Sequence, residues 1–396
     1  MKAEVDKTGR REFLARAAGL LAATAGSMLV AAEGPSAEAA EAPPVPLDRE
    51  AGWYEHLTGG AVQCGLCPRA CRVAKGMRGQ CGVRENRDGT YRTLVFGRAC
   101  AVHVDPIEKK PFYHYLPGTS VFSLGTAGCN LHCKFCQNWE ISQARPEDVA
   151  QQSLPPETVV DFCRKRALPT VACTYNEPTV FSEYVLEIAR LARAQKVGAV
   201  TVSNGFISRR ALVDLCRQLT AVKIDLKAFQ DKFYRDVCSG SLQPVLDTLT
   251  TLHELGMHFE IVVLLIPTLN DGRDEVRRMC TWVVKELGPD VPVHFSRFTP
   301  LYKMTNLPPT PVATLEAAYE EARAAGVNFC YLGNVGAHKW ANTYCPGCGR
   351  VLIERLGNLV RRNDLKDGKC PGCGRAIPGV WTQEQALAFE PKPVKA

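Results

Sequence analysis

The sequence has no dense run of lysine or arginine, and after its first 42 residues it has no long apolar run. Its 48 basic and 41 acidic residues give a net charge of +7, which is modest for 396 residues. A nucleic-acid-binding face needs clustered basic residues, and a membrane-spanning helix needs about 20 successive apolar residues. We therefore expect no nucleic-acid partner and no transmembrane span beyond the N-terminal segment.

A disulfide framework is also missing, although the chain has 18 cysteines. Eleven of them fall into three tight clusters with metal-ligand spacing, and the other seven lie singly in apolar segments. Clustered cysteines at such spacings typically bind metals, whereas single ones are most simply reduced core residues. With 46% hydrophobic residues the chain can bury a large core, and its length favours two or three structural units.

The central cluster is a CX3CX2C triplet formed by Cys129, Cys133 and Cys136, with Phe135 just before the last cysteine. Three thiolates this close can hold three irons of a [4Fe-4S] cluster and leave the fourth iron open to a non-protein ligand. The alternatives are three buried apolar thiols or an incomplete zinc site, which would need a fourth ligand nearby. His132 is a poor fourth ligand because it lies between two of the cysteines.

This spacing resembles the cluster loop of the radical S-adenosylmethionine (radical SAM) enzymes. Three longer stretches, 105–111, 136–143 and 174–179, resemble the radical SAM member of the three-gene AMME/Memo/radical-SAM system, which is related to pyruvate formate-lyase activating enzyme. The resemblance covers about residues 61–381 and implies an open, six-stranded (β/α)6 barrel.

The pattern from residue 121 onward alternates apolar strands with amphipathic helices, which is typical of a parallel sheet with helices outside. The predicted strands are 121–126, 170–174, 199–203, 222–226, 259–266, 291–295 and 328–332. The predicted helices are 156–166, 179–195, 208–219, 242–255, 273–287 and 314–325. Before them we predict a strand at 91–96 and an irregular lead-in at 105–118.

The predicted fold is therefore α/β, a partial (β/α)6 radical SAM barrel with an N-terminal Cys-rich module and a C-terminal zinc-ribbon-like module. The predicted divisions are a signal segment at 1–42, a four-Cys module at 43–118, the barrel at 119–335 and the ribbon-like module at 336–396. In barrel enzymes the active site lies at the carboxyl ends of the strands.

The resemblance implies a set of contacts to S-adenosylmethionine at those strand ends. Phe135 is expected near the adenine. The other parts of S-adenosylmethionine are expected to contact Asn176, Glu177, Ser203, Asn204, Asp225, Lys227 and His294. Asn176 stands where the family carries a glycine of its Gly-Gly-Glu-Pro motif, and Val202 stands where activating enzymes usually place an aspartate.

Two further cysteine clusters flank the barrel. The first, Cys64, Cys67, Cys71 and Cys81, has CX2CX3CX9C spacing among glycines, and both zinc and an accessory iron–sulfur cluster fit it. The second, Cys345, Cys348, Cys370 and Cys373, forms paired Cys-Pro-Gly-Cys-Gly knuckles that predict a zinc ribbon, with an iron site as the alternative.

The implied activity is reductive cleavage of S-adenosylmethionine at the [4Fe-4S] cluster to a 5′-deoxyadenosyl radical that abstracts hydrogen. Three hypotheses follow: activation or modification of a partner protein, radical modification of a small molecule in an AMME/Memo-linked pathway, or exported multi-cluster electron transfer without this chemistry. The expected electron donor is a flavodoxin or ferredoxin.

The N-terminal segment resembles a twin-arginine (Tat) signal. Arg10 and Arg11 precede Phe13-Leu14 and an Ala/Leu-rich stretch, and small residues near Ala40 offer cleavage sites. The alternative is a short amphipathic helix. We expect export by the Tat translocase to the periplasm or tethering to the membrane, and a cytoplasmic protein if the signal is not used.

Overall fold

The computed structural model describes residues 49–336 and 338–394, so the Tat-like segment at 1–42 lies outside the described residues. The strands of the N-terminal part are β1 (Arg49–Glu50), β2 (Tyr54–His56), β3 (Val62–Cys64), β4 (Arg72–Val73), β5 (Arg84–Arg87), β6 (Thr90–Thr93) and β7 (Arg98–Ala99). The central strands are β8 (Ala101–Pro106), β9 (Ser120–Gly125), β10 (Gln152–Ser153), β11 (Thr170–Cys173), β12 (Gly198–Ser203), β13 (Ala221–Asp225), β14 (Phe259–Leu265), β15 (Val293–Arg297) and β16 (Cys330–Gly333). The C-terminal strands are β17 (Thr343–Tyr344), β18 (Val351–Leu356) and β19 (Leu359–Asn363).

The helices lie mainly between the central strands. They are α1 (Trp139–Ser142), α2 (Pro156–Lys165), α3 (Ser182–Ala194), α4 (Arg209–Cys216), α5 (Asp231–Phe233), α6 (Gln243–Glu254), α7 (Arg273–Leu287), α8 (Val312–Ala324) and α9 (Gln383–Ala388). Short 3-10 turns occur at Thr58–Gly60, Ile107–Lys109, Pro146–Asp148, Pro178–Phe181 and Lys339–Ala341, and a π turn occurs at Tyr234–Cys238.

The central sheet has the strand order β16-β15-β14-β13-β12-β11-β9-β8. All pairs from β9 to β16 are parallel, and β8 joins β9 antiparallel at the edge. The parallel strands follow one another across the sheet in chain order, with helices in all six connections. This confirms the predicted α/β fold with its mostly parallel sheet, and each of the seven predicted strands is present within two residues of its expected bounds.

The sheet forms where it does because its strands are aliphatic runs that can be covered on both faces. Val121, Val171, Ile261 and Val293, each from a different strand, are completely buried. The covering helices bury one stripe each; α3, for example, buries Ile188 and neighbouring apolar residues against β12. The core therefore lies between sheet and helices and brings the carboxyl ends of the strands to one edge.

The lead-in differs from the expectation of an irregular segment over 105–118. Asp105 and Pro106 end strand β8, which pairs with β9 from Ala101↔Gly125 to Pro106↔Ser120. This edge strand lacks a continuous apolar run because much of it faces outward; Val104, for instance, is 50% exposed. The sheet thus begins at residue 101, within the predicted 43–118 division. The strand expected at 91–96 is shorter, at Thr90–Thr93.

Small antiparallel sheets flank the central one. In the N-terminal part these are β1-β6-β5 and β2-β3-β4, and in the C-terminal part β17-β18-β19. Arg355 of β18 is buried and donates to the carbonyl oxygen of Tyr113 at 2.8 Å, which fixes the C-terminal hairpin on the lead-in. Among the described residues no helix is long and apolar enough to cross a membrane.

Candidate active site

A cavity of about 420 Å³ opens at the carboxyl ends of the central strands. Its volume lies within the range usual for small-molecule sites. The lining includes all three cysteines of the central triplet. It also includes seven of the eight predicted cofactor contacts, namely Phe135, Asn176, Glu177, Ser203, Asn204, Asp225 and Lys227. Residues from the ends of β11, β12 and β13 and from the loop after β9 therefore converge as the barrel geometry predicts.

The cysteine triplet lies on the loop after β9, and polar groups point at its sulfurs. The backbone N–H of Leu131 donates to Cys129 Sγ at 3.4 Å, and the side-chain amide of Asn204 lies 3.8 Å from the same sulfur. Burial raises the pKa of the Cys129 thiol. Cys238 lowers the pKa of the Cys133 thiol by hydrogen bonding, and Lys227 adds to this effect.

The distances between the sulfurs of the triplet indicate whether a single zinc ion or an iron–sulfur cluster fits them better. In a tetrahedral zinc site the bonds of about 2.3 Å hold all sulfurs about 3.8 Å apart, whereas thiolates on different irons lie farther apart. Within residues 49–336 and 338–394, only the C-terminal cysteine cluster has its ligand atoms all within 4.8 Å of one another. The triplet is more widely spread, and its N–H donors suit sulfur atoms that carry negative charge.

Glu177 follows β11 and is buried at the cavity wall, where both its oxygens accept hydrogen bonds. Oε1 accepts from the Ser203 hydroxyl at 2.7 Å and from Thr179, and Oε2 accepts from the Asn204 backbone N–H at 2.7 Å. Burial raises the pKa of this carboxyl, and the hydrogen bonds oppose that rise. Glu177 therefore fixes the turn after β12 as well as placing a carboxylate beside the cavity.

Asn176 binds the start of the cluster loop. Its Oδ1 accepts from the Thr126 N–H at 3.1 Å, and its Nδ2 donates to the carbonyl oxygen of Gly128 at 2.8 Å. Tyr175, just before it, has φ 71°, in the left-handed region that favours glycine. Tyr175 is held there because Asn138 donates to its carbonyl oxygen at 2.6 Å and its hydroxyl donates to Asp105 at 3.0 Å.

Asp225 and Lys227 at the end of β13 form the expected pair on one face, with 2.7 Å between Asp225 Oδ2 and Lys227 Nζ. Lys223, two residues earlier on the same face, also donates to Asp225. Although burial opposes ionisation, these two ammonium groups hold the pKa of Asp225 well below its usual range. Asp225 in turn raises the pKa of Lys227 against the opposing effect of burial.

His294 is the predicted contact that does not line the cavity. It is 2% exposed, its Nε2 lies 2.7 Å from Glu260 Oε2, and its ring packs edge-on against Tyr113. Glu260 also accepts from the backbone N–H groups of Tyr113 and His114. In this structure His294 belongs to a buried network below the cavity, and its contact with a cofactor stays a prediction.

Two cavity residues and one neighbouring cysteine were absent from the sequence prediction. Lys110 and Lys223 line the cavity, and Lys110 Nζ lies 4.5 Å from the centre of the Tyr175 ring. Cys238 is buried beside Cys133. Lys223 could have been found from its two-residue spacing to Asp225, but the other contacts join segments far apart in the chain and leave no local signal.

The flanking cysteine clusters differ in geometry. In the C-terminal cluster Sγ of Cys345 lies 3.5 Å from that of Cys373, and Sγ of Cys348 lies 3.6 Å from that of Cys370. Each knuckle closes with a backbone bond of 2.9 Å to its first cysteine, so the pair of knuckles suits a single metal ion. The N-terminal cluster lies between β3 and β5, against the loop of the central triplet.

The chain is similar to proteins of the radical SAM superfamily. A family model described as the radical SAM superfamily matches residues 123–281. The chain is 42% identical over 307 residues to an uncharacterized protein of Methanocaldococcus jannaschii, covering 78% of this chain and 91% of that protein. It is 20% identical over 166 residues to the pyruvate formate-lyase-activating enzyme of Clostridium pasteurianum, covering 40% and 67%. A solved radical SAM methyltransferase from Sphaerobacter thermophilus aligns at 15% identity with a TM-score of 0.44, covering 56% and 67%.

Proposed function

The chain belongs to the radical SAM superfamily, and we propose that it cleaves S-adenosylmethionine reductively in order to abstract a hydrogen atom from a partner protein. One observation carries the proposal. The three cysteines open into the same cavity as Glu177 and the Asp225–Lys227 pair, which come from separate strand ends. Binding of a [4Fe-4S] cluster and S-adenosylmethionine is what the superfamily implies for such a cavity.

Each side chain has a definite task in this proposal. Cys129, Cys133 and Cys136 hold three irons, and Glu177 accepts from the methionine ammonium group, a charge-assisted contact. When bound, the cluster and S-adenosylmethionine supply one-electron cleavage of the sulfonium bond and a carbon radical for hydrogen abstraction. Asp225 and Lys227 orient the polar end of the cofactor, and Phe135 packs against its adenine.

A partner protein is favoured by the surface beside the cluster loop. Trp139 follows two residues that line the cavity, is 38% exposed and stacks on Tyr302 with 5.0 Å between ring centres. Leu301, next to Tyr302 in the chain, is 39% exposed. The Lys303 N–H donates to the Lys134 carbonyl oxygen at 3.0 Å, and this bond joins the surface to the cluster loop. Exposed aromatic and aliphatic side chains of this kind are typical of protein-binding surfaces.

The direct test is the EPR spectrum of anaerobically purified, reduced protein with and without S-adenosylmethionine, with 5′-deoxyadenosine measured in the same sample. A cofactor-dependent change of the signal together with 5′-deoxyadenosine supports the proposal. The Cys129→Ala/Cys133→Ala/Cys136→Ala variant is expected to lose both responses. A wild-type protein that is fully loaded with iron but shows neither response would make the electron-transfer hypothesis the better one.

The partner is tested with candidate proteins encoded beside the gene. We expect a flavodoxin or ferredoxin to supply the electron, and a deuterated partner protein to transfer deuterium to 5′-deoxyadenosine. A protein-bound glycyl radical would identify an activating enzyme. Deuterium transfer from a small molecule alone would overturn the protein-substrate proposal and favour the small-molecule pathway.

Export by the Tat translocase stays a proposal that depends on residues 1–42. We expect full-length protein expressed in a Tat-competent bacterium to appear in the periplasmic or membrane fraction. The Arg10→Lys/Arg11→Lys variant should stay in the cytoplasm, since Tat recognition requires the arginine pair. The same distribution for both proteins would contradict a Tat signal.

A further inference from the structure

Near the N-terminal cysteine cluster, Cys64, Cys67, Cys71 and Cys81, two buried residues carry donor groups that have no partner in the described chain. Arg84 is 1% exposed, and its Nε and Nη1 make no hydrogen bond within the described chain. Tyr91 is fully buried, and its hydroxyl group is likewise unpaired. Unpaired buried donors are costly, so their presence beside four thiols points to an acceptor that the cysteines would hold.

The thiols and these donors face one another. A Cβ placed on Gly79 would lie 2.7 Å from the Tyr91 hydroxyl oxygen and 3.8 Å from Cys71 Sγ, so both atoms face the same side of Gly79. The Arg84 guanidinium lies 5.3 Å from the centre of the Tyr91 ring. Arg84 Nη2 is already paired with Glu183 Oε1 at 2.8 Å, which leaves Nε and Nη1 for another acceptor. A cationic guanidinium and a phenol hydroxyl near the cysteines would stabilise the negative charge of a sulfur-ligated metal group.

The spread of the sulfurs distinguishes the kind of metal group. The C-terminal cluster has the compact arrangement that suits a single ion, with all its ligand atoms within 4.8 Å of one another. No other cysteine cluster in the described residues meets this distance. The sulfurs of the N-terminal cluster are not all within 4.8 Å of one another, and the same is true of the Cys129, Cys133, Cys136 triplet. Four thiolates that bind four different irons lie farther apart than four on a single ion, so this arrangement favours an iron–sulfur cluster.

The N-terminal cluster also lies directly against the loop of the central triplet. Gly128, next to Cys129, has φ 86°, and a Cβ placed on it would lie 2.7 Å from the carbonyl oxygen of Cys81. Asn130 lies on the loop of the central triplet, where its Oδ1 accepts from Asn204 Nδ2 at 2.9 Å. The Arg69 Nε donates to the Asn130 carbonyl oxygen at 2.9 Å and fixes this contact.

We propose that Cys64, Cys67, Cys71 and Cys81 hold a second iron–sulfur cluster that passes electrons to the cluster at Cys129, Cys133 and Cys136. One electron from reduced flavodoxin or ferredoxin takes the second cluster from the 2+ to the 1+ state. The same electron then moves to the first cluster, and the second returns to 2+ with no bond made or broken. This proposal rests on the proposed function in one respect, which is that the cluster at Cys129, Cys133 and Cys136 accepts the electron.

The metal content is tested in full-length protein reconstituted anaerobically. The wild type should contain about eight irons, and the Cys129→Ala/Cys133→Ala/Cys136→Ala variant should keep about four irons with an EPR signal of its own after reduction. The control Cys348→Ala should lose only the C-terminal metal and keep all the iron. Zinc without iron in the triplet variant would overturn the proposal. If instead the triplet variant keeps about four irons while the wild type does not respond to S-adenosylmethionine, only the proposed function fails.

The electronic connection is tested without any variant that could misfold. Reduced wild-type protein should give an EPR spectrum with spin–spin interaction between the two clusters, and a simple sum of two independent signals would overturn the relay.

The variant Tyr91→Phe provides an independent readout. Loss of a donor to the cluster sulfurs should lower the reduction potential of the second cluster at unchanged iron content. An unchanged potential would overturn the placement of the Tyr91 hydroxyl against that cluster.

Discussion

Glu177 is the residue on which the polar contacts of the cavity wall converge. Its carboxylate accepts from Thr179, Ser203 and Asn204, and it is the acidic group we assign to the methionine ammonium. A glutamine at this position would keep the shape of the side chain, but its amide group would face the donor of Asn204. The substitution therefore separates the charge of Glu177 from its packing.

We expect Glu177→Gln to weaken binding of S-adenosylmethionine at least tenfold and to lower the free energy of unfolding by about 1–3 kcal/mol, because a buried donor loses its acceptor. Equilibrium dialysis and anaerobic urea denaturation measure the two effects. Glu157→Gln, on the exposed face of α2, is the matched control and should change neither. Wild-type affinity in Glu177→Gln would remove Glu177 from the cofactor site.

Asn176 shows both the reach and the limit of sequence analysis at the residue scale. The motif alignment placed it correctly on the turn after β11, where it departs from the family glycine. Its bonds to Thr126 and Gly128 could not be predicted, since they join residues about 50 positions apart. The same holds for His294, whose strand position was predicted but whose partner, Glu260, depends on the packing of two strands.

At the scale of elements, the cluster loop depends on Gly128. Its φ of 86° favours glycine, and a methyl group there would meet Val83 at 2.5 Å as well as the Cys81 carbonyl oxygen. Neither neighbour is a flexible side-chain end. Gly128 is therefore required for the close approach between the loop and the N-terminal cysteine cluster.

We expect Gly128→Ala to lower the iron content of both cysteine sites, because the two segments can no longer pack together. Gly272→Ala is the matched control, since Gly272 has φ −66° and no atom within 4 Å of the added Cβ, and it should keep wild-type iron. Iron and sulfide analysis after anaerobic reconstitution measures the effect. Full iron in Gly128→Ala would show that the contact is dispensable for cluster assembly.

The lead-in after β8 contains a buried histidine that should make stability depend on pH. His114 Nδ1 lies 2.7 Å from the Pro378 carbonyl oxygen and Nε2 lies 2.6 Å from the Tyr331 hydroxyl. Burial lowers the pKa of His114 to about 4, although Glu260 opposes this effect. In the unfolded chain the pKa is about 6.5.

Between these two values the unfolded state binds more protons, so stability falls as the pH falls from about 6.5 to about 4. We expect His114 to lower the free energy of unfolding by up to about 3 kcal/mol as the pH falls to about 4. Above pH 6.5 this destabilising effect is absent. Urea denaturation at a series of pH values measures it. The variant His114→Gln should show a smaller slope over this range, and equal slopes in both proteins would contradict the assignment.

At the scale of the whole molecule, a buried ion pair joins the C-terminal hairpin to the turn that directly follows β8 of the central sheet. Arg355 contacts Glu108 at 3.8 Å, with both side chains fully buried, and donates to Thr343 Oγ1 at 2.9 Å. Removing one partner of a buried ion pair leaves an uncompensated charge, which is strongly destabilising. The hairpin is therefore expected to be coupled to the sheet in unfolding.

We expect Arg355→Met to lower the free energy of unfolding by about 3–5 kcal/mol. The control Arg362→Met, on β19 with its side chain 55% exposed, should change it by less than about 1 kcal/mol. Anaerobic urea denaturation compares the two. Similar effects in both variants would mean that the hairpin is not coupled to the sheet through Arg355.

The sheet as a whole was predictable because each parallel strand is a buried aliphatic run followed by a helix. The cavity was predictable for the same reason, since the carboxyl ends of such strands meet at one edge. Edge strand β8 was not, because a half-exposed strand such as one containing Val104 has no continuous apolar run. The contact between the two iron–sulfur candidates also depends on distant pairs such as Arg69 and Asn130, which no local pattern encodes.

The packing of the N-terminal cysteine cluster on the central loop limits how the protein can be dissected. Leu66 accepts from the Ser208 N–H at 3.0 Å, Arg69 bonds Asn130, and Val83 fills the space over Gly128. A gene fragment that encodes residues 119–335 alone would leave these partners bare on the side of the loop that carries Cys129. The barrel of this protein is thus expected to need residues 64–83 in order to fold correctly, and chimaeras with related enzymes need an N-terminal exchange point ahead of residue 64.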